Sequence, residues 1–124
     1  MKKPVLIAGL IFACLLPAKA ADLAEGRVYR EAVRYCRLVQ PSPILNLATR
    51  YEVETALAKR FDHSVAVSED DGIIFHRSPA YVWANETKAL CGQAIGYLNG
   101  GAIEEETISK CDCYHSQMLR FLRH

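Results

Sequence analysis

Four cysteines constrain this chain more than any other feature. Cys36, Cys91, Cys111 and Cys113 follow an N-terminal stretch that reads as an export signal, so they are expected to meet an oxidising compartment. Lys2 and Lys3 supply a positive start, Val5 to Leu16 is an almost unbroken apolar run, and Ala18-Lys19-Ala20 is a small-x-small cleavage site. The run is too short to span a membrane, which takes about 20 residues. Residues 1–20 are therefore expected to be a signal peptide, and residues 21–124 a single mature domain with no stable membrane insertion. Cys14 lies inside the apolar run. A lipoprotein reading fits it poorly, because Phe12 precedes it and Leu15 and Leu16 continue the run beyond it.

An even number of exported cysteines reads as two disulfides. Pairing Cys111 with Cys113 would close a very tight ring, against the Cα separations that disulfides need. The pair is therefore expected to be tied to Cys36 and Cys91, with the partner of each left open. Each bridge is worth roughly 2–4 kcal/mol through restriction of the unfolded chain.

Removal of the signal also changes the charge. The full 124 residues carry 15 Lys and Arg against 14 Asp and Glu, a net of +1. Cleavage after Ala20 takes away Lys2, Lys3 and Lys19 and leaves 12 basic against 14 acidic residues, a net of −2. A mature acidic balance argues against nucleic acid as the partner, since such proteins carry a basic excess.

Periodicity predicts a mainly helical fold. Val28, Ala32, Tyr35 and Val39 recur at helical spacing between Asp22 and Gln40, with Arg27, Arg30, Arg34 and Arg37 on the opposite side. Pro41-Ser42-Pro43 ends that element, and Ser42 with Pro43 opens a second helix carrying Leu47, Tyr51, Ala58 and Phe61 on one side. The alternation over Ser64 to Ser68, the turn-forming Glu69-Asp70-Asp71-Gly72 and the run Ile73-Ile74-Phe75 predict a short β-hairpin insert. Ser78-Pro79 opens a third helix bearing Ala84, Cys91, Ala94, Ile95 and Leu98, which Asn99-Gly100-Gly101 stops. A last helix is expected from about Ser109, with Cys111, His115, Met118 and Leu122 in register. The predicted fold class is thus mainly α: a small helical domain with a short β-hairpin insert, stapled by disulfides.

Three features invite a chemical reading. Cys111-Asp112-Cys113-Tyr114-His115 places two sulfurs and an imidazole close together, and with His76 or His124 it would make a metal or redox site. The spacing is not that of a zinc knuckle or a thioredoxin-type CxxC, and exported thiols oxidise, so disulfides are favoured and no metal or cofactor is expected. The arginines at 27, 30, 34 and 37 make a candidate partner-binding face, since guanidinium groups hold carboxylates and phosphates bidentately. The plain alternative is a solvated face eased by Glu31, and an acidic protein suits the mature charge better than nucleic acid. Glu104-Glu105-Glu106 precedes the last helix, where acidic residues favour the helix dipole rather than acid–base catalysis. His63 and His76 flank the expected hairpin without a nucleophile in a recognisable setting, and GxSxG, HExxH and phosphate-cradling motifs are missing from the sequence. An enzyme is not expected. Asn85-Glu86-Thr87 matches a glycosylation acceptor, read as chance beside a bacterial-style signal.

The length, the export signal, the stretch Cys91-Gly92-Gln93-Ala94-Ile95-Gly96-Tyr97 and the Cys111 to His115 cluster together resemble the KikA family. These are exported Klebsiella-killing proteins encoded with the transfer genes of IncN-type conjugative plasmids. The resemblance implies a periplasmic protein that acts on an envelope protein and is toxic to certain bacteria, and it carries over no catalytic residues. The CGQAIGYLNGG stretch is also similar to small disulfide-bonded immunity proteins that block cell-wall amidases, which implies a protective inhibitor instead.

Overall fold

The computed structural model describes residues 27, 29, 30, 34–37 and 39–123. The expected signal peptide, and the expected core positions Val28 and Ala32, lie outside them. In the N-terminal segment Arg27, Tyr29, Arg30, Arg34 and Tyr35 have helical backbone, which ends in a turn at Cys36 and a bend at Arg37. A 3-10 turn, Pro43–Asn46, follows. Then come four helices: α1 (Arg50–Ser68), the short α2 (Asp71–Phe75), α3 (Pro79–Asn99) and α4 (Glu105–Leu122).

Local capping chemistry sets these boundaries. Thr49 and Glu52 form a reciprocal capping box that starts α1. Ser78 accepts from the Ala80 N–H and Pro79 occupies the first turn of α3. At the other end of α3, Gly101 takes φ 87°, its N–H donates to the Leu98 carbonyl, and the Ala102 N–H donates to Tyr97. That left-handed cap closes the helix where the sequence predicts. Glu104 caps α4 by accepting from the Thr107 N–H at 2.8 Å, and Glu105 and Glu106 lie in the positive first turn.

The long helices pack as a three-helix bundle. Arg50 of α1 reaches the Leu98 carbonyl at the end of α3, while Lys88 of α3 reaches Ser68 at the end of α1, so the two helices are antiparallel. Cys91 meets Cys111, and Trp83 meets Phe121, so α3 and α4 are antiparallel too. It follows that α1 and α4 run in the same direction. Two apolar clusters fill the bundle. One joins Ile44, Val53, Leu57, Leu98 and Ile108 around the Cys91–Cys111 bridge; the other joins Val67, Ala84, Tyr114 and Met118 around Trp83 and Cys36. No described helix is long and apolar enough to cross a membrane.

The β-hairpin insert is not present: the described residues contain no strand. Val65 and Val67 belong to the last turns of α1, where Ser64, Val67 and Ser68 are buried in helical register with Leu57. The acidic stretch after them is a helix start rather than a hairpin turn, because Asp70 accepts from the Ile73 N–H at 3.0 Å and opens α2 through Ile73-Ile74-Phe75. Burial of Val67 in α1 overrides the β preference of the valines, whereas α2 buries no residue and is set by its Asp70 cap.

Two other expectations shift. Ser42 does cap an element, but that element is the 3-10 turn, and α1 begins eight residues later. Its buried side carries Val53 and Leu57, whereas Tyr51, expected in the core, is 77% exposed. The last helix starts at Glu105, four residues before Ser109, and thereby buries Ile108.

Candidate functional site

Two disulfides join Cys36, Cys91, Cys111 and Cys113. Cys36 pairs with Cys113 and Cys91 with Cys111, with Cα separations of 6.0 and 4.8 Å. Residues two apart on a helix point about 200° apart, so Cys111 faces α3 while Cys113 faces the N-terminal segment. This resolves the pairing that the sequence leaves open. Cys111 and Cys113 are thus committed to different partners, and neither sulfur is a free thiolate that could ligate a metal beside His115.

The Cys36–Cys113 bridge fixes the arginine-bearing segment onto the bundle. Just before it, Tyr35 packs edge-on against Trp83, with ring centroids 6.2 Å apart and an interplanar angle of 89°. Trp83 in turn stacks on Phe121 and tilts against Tyr114. Burial pushes the Tyr114 hydroxyl upward in pKa, and the charges of Glu86 and Tyr29 add to this. Arg27, Arg30 and Arg34 are exposed on helical backbone, spaced three and four residues apart, which places them on one face. Tyr29 and Tyr35 are half exposed in the same segment.

Arg37 is separated from that face. It lies in the bend after the helical backbone ends and lines an open cleft of about 720 Å³ between the N-terminal segment and the start of α4. Val39, Leu45 and Ile103 give the cleft apolar walls, and Glu104, Glu105 and Glu106 give it an acidic rim. Of the four arginines, three therefore share one surface and the fourth borders another.

A polar cluster, unassigned by sequence reasoning, joins α1, α4 and the 3-10 turn. Arg60 Nε donates to Asp112 Oδ1 at 2.7 Å, and Ser42 Oγ donates to Asp112 Oδ2 at 2.8 Å. Ser42 also donates its own N–H to Ser109 Oγ at 3.1 Å and accepts from the Ile44 N–H. One turn further along the same two helices, His63 Nδ1 lies 3.2 Å from His115 Nε2. Burial, then the Arg60 charge and His63, lower the pKa of His115 to about 4, so its ring is neutral at physiological pH. His76, proposed from sequence as a further ligand, instead caps α2 and packs its ring on Phe75. The cluster leaves no local signal, because 52 residues separate both Arg60 from Asp112 and His63 from His115.

Asn85-Glu86-Thr87 lies within α3, with the Thr87 hydroxyl fully buried and bonded to the Trp83 carbonyl. Compared with known proteins, the chain matches no family model, no curated sequence and no solved structure.

Proposed function

We propose that this chain is a small exported protein of the bacterial envelope that works by binding another envelope protein in the periplasm, and that its binding is toxic to certain bacteria. The toxic outcome and the link to conjugative plasmids follow the resemblance to the Klebsiella-killing family. The observation that carries the binding reading is the exposure of Arg27, Arg30 and Arg34 at helical spacing, in a segment where Tyr29 and Tyr35 are also half exposed. Arg and Tyr are the residue types that dominate binding energy at protein interfaces. Here they are held on the bundle by the Cys36–Cys113 bridge and the Tyr35–Trp83 contact, so less ordering entropy is lost on binding. Three guanidinium groups on one side fit an acidic protein surface.

The test is expression with and without residues 1–20, followed by capture from periplasmic extract. Exported protein should slow the growth of a susceptible strain and retain one acidic partner. The Arg27→Glu/Arg30→Glu/Arg34→Glu variant should lose both effects while remaining folded. Growth unchanged in every strain, with protection against a co-expressed cell-wall amidase, would make the binding protective, as the immunity-protein resemblance implies. Equal capture by the charge-reversed variant would sink the arginine face as the binding surface.

A further inference from the structure

His63 and His115 stand on parallel helices, one turn beyond the Arg60–Asp112 ion pair that fixes those helices against each other. The ring centroids are 5.3 Å apart with an interplanar angle of 67°, and Nδ1 of one ring faces Nε2 of the other at 3.2 Å. His63 is exposed and His115 is half-buried, so the pair opens to solvent on one side.

The two rings are within hydrogen-bond distance, the donor and acceptor roles depending on the tautomers. The same geometry also suits a metal ion. Metal–imidazole bonds are about 2.0–2.1 Å long, and two of them spanning 3.2 Å enclose an angle of about 100°, between the square-planar and tetrahedral values. Both rings must turn to bring their lone pairs onto an ion beside the nitrogen–nitrogen line, and His63 is exposed. Both ligands come from helices, whose backbones are already positioned.

We propose that His63 and His115 form a two-histidine site for a borderline divalent transition metal, taken up in the order Cu(II) above Ni(II) and Zn(II). The order follows the general affinity series for nitrogen ligands, and hard cations such as Mg(II) are excluded because they prefer oxygen. Asp112 contributes no bond, since Arg60 and Ser42 occupy its oxygens. No cluster of three or more ligating side chains occurs among the described residues, so this is an open, exchangeable site with water in the remaining positions. It is independent of the arginine face and of the proposed envelope partner.

Untagged, oxidised full chain titrated with CuCl2 tests the proposal. One Cu(II) per chain is expected, with a rise in Tm because the pair exists only in the folded state. His63→Gln or His115→Gln should weaken Cu(II) binding at least tenfold and abolish the rise in Tm. His76→Gln/His124→Gln should leave both unchanged, and MgCl2 should have no effect. A measurement on the unmutated chain removes dependence on variant folding: bound Cu(II) should broaden the NMR ring signals of His63 and His115 before those of His76. Unchanged Cu(II) affinity in both single variants, or first broadening at His76, would overturn the assignment.

Discussion

Arg60 and Asp112 join α1 to α4 through a 2.7 Å ion pair, and the same carboxylate receives the Ser42 hydroxyl from the turn that precedes α1. Three chain segments thus converge on one carboxylate. Both partners are largely shielded, which lifts the pair above the low value typical of exposed salt bridges. Asp112→Ala leaves the Arg60 guanidinium and the Ser42 hydroxyl without this acceptor and should cost about 1–3 kcal/mol. Urea unfolding at pH 7 should show a lower midpoint with an unchanged slope.

The two disulfides should respond differently to removal. Cys91→Ala/Cys111→Ala opens a 20-residue separation inside the core and should lower global stability by about 3 kcal/mol. Cys36→Ala/Cys113→Ala opens a separation of 77 residues, worth about 4 kcal/mol by loop entropy, and also releases the arginine-bearing segment. Limited trypsin digestion should then cut at Arg34 and Arg37 well before any site in α3 or α4. Equal cleavage rates in the oxidised wild type would show that the bridge does not hold the segment.

Acid should weaken the start of α4. The Thr107 hydroxyl and N–H, which both donate to Glu104, hold its carboxyl below the ordinary value of 4.5. A carboxylate with a lowered folded-state pKa adds stability that is present above the unfolded value and disappears as pH falls through the folded one. Stability should therefore decline below about pH 4.5, and Glu104→Gln should flatten this part of the profile. Thermal melts from pH 3 to pH 7 compare the two.

Two helix ends offer opposite backbone tests. Gly101 at φ 87° suits glycine, and Gly101→Ala should cost about 1 kcal/mol. Arg77 ends α2 with φ 50°, and its N–H donates to the Ile74 carbonyl while Ser78 donates to Ile73. It occupies a position where glycine is favoured. Arg77→Gly should stabilise the protein by up to about 1 kcal/mol, offset in part by the greater freedom of glycine in the unfolded chain. Chemical denaturation of both variants checks the sign.

What the sequence discloses follows from how local each determinant is. The bounds of α3 are legible because Ser78-Pro79 and Asn99-Gly100-Gly101 act within a few residues of themselves. The start of α1 is equally local, since Thr49 and Glu52 spell a capping box, but the proline at 43 draws attention to the earlier turn. Val65, Val67 and the isoleucines of α2 mislead because alternation over five residues cannot separate a strand from the end of a helix whose other face is buried. The choice between Cys111 and Cys113 as partner of Cys36, and the meeting of His63 with His115, depend on the order and direction of packed helices. No short stretch of sequence carries that information.

The nested arrangement of the bridges, Cys91–Cys111 inside Cys36–Cys113, has a topological result. Any single backbone cut between Cys36 and Cys113 leaves one cysteine of the outer pair on each side. The nicked protein stays one covalent molecule of unchanged mass apart from an added water, and its fragments separate only after reduction. A protease that reaches α2 or the loop after α3 can therefore open the chain without dispersing it.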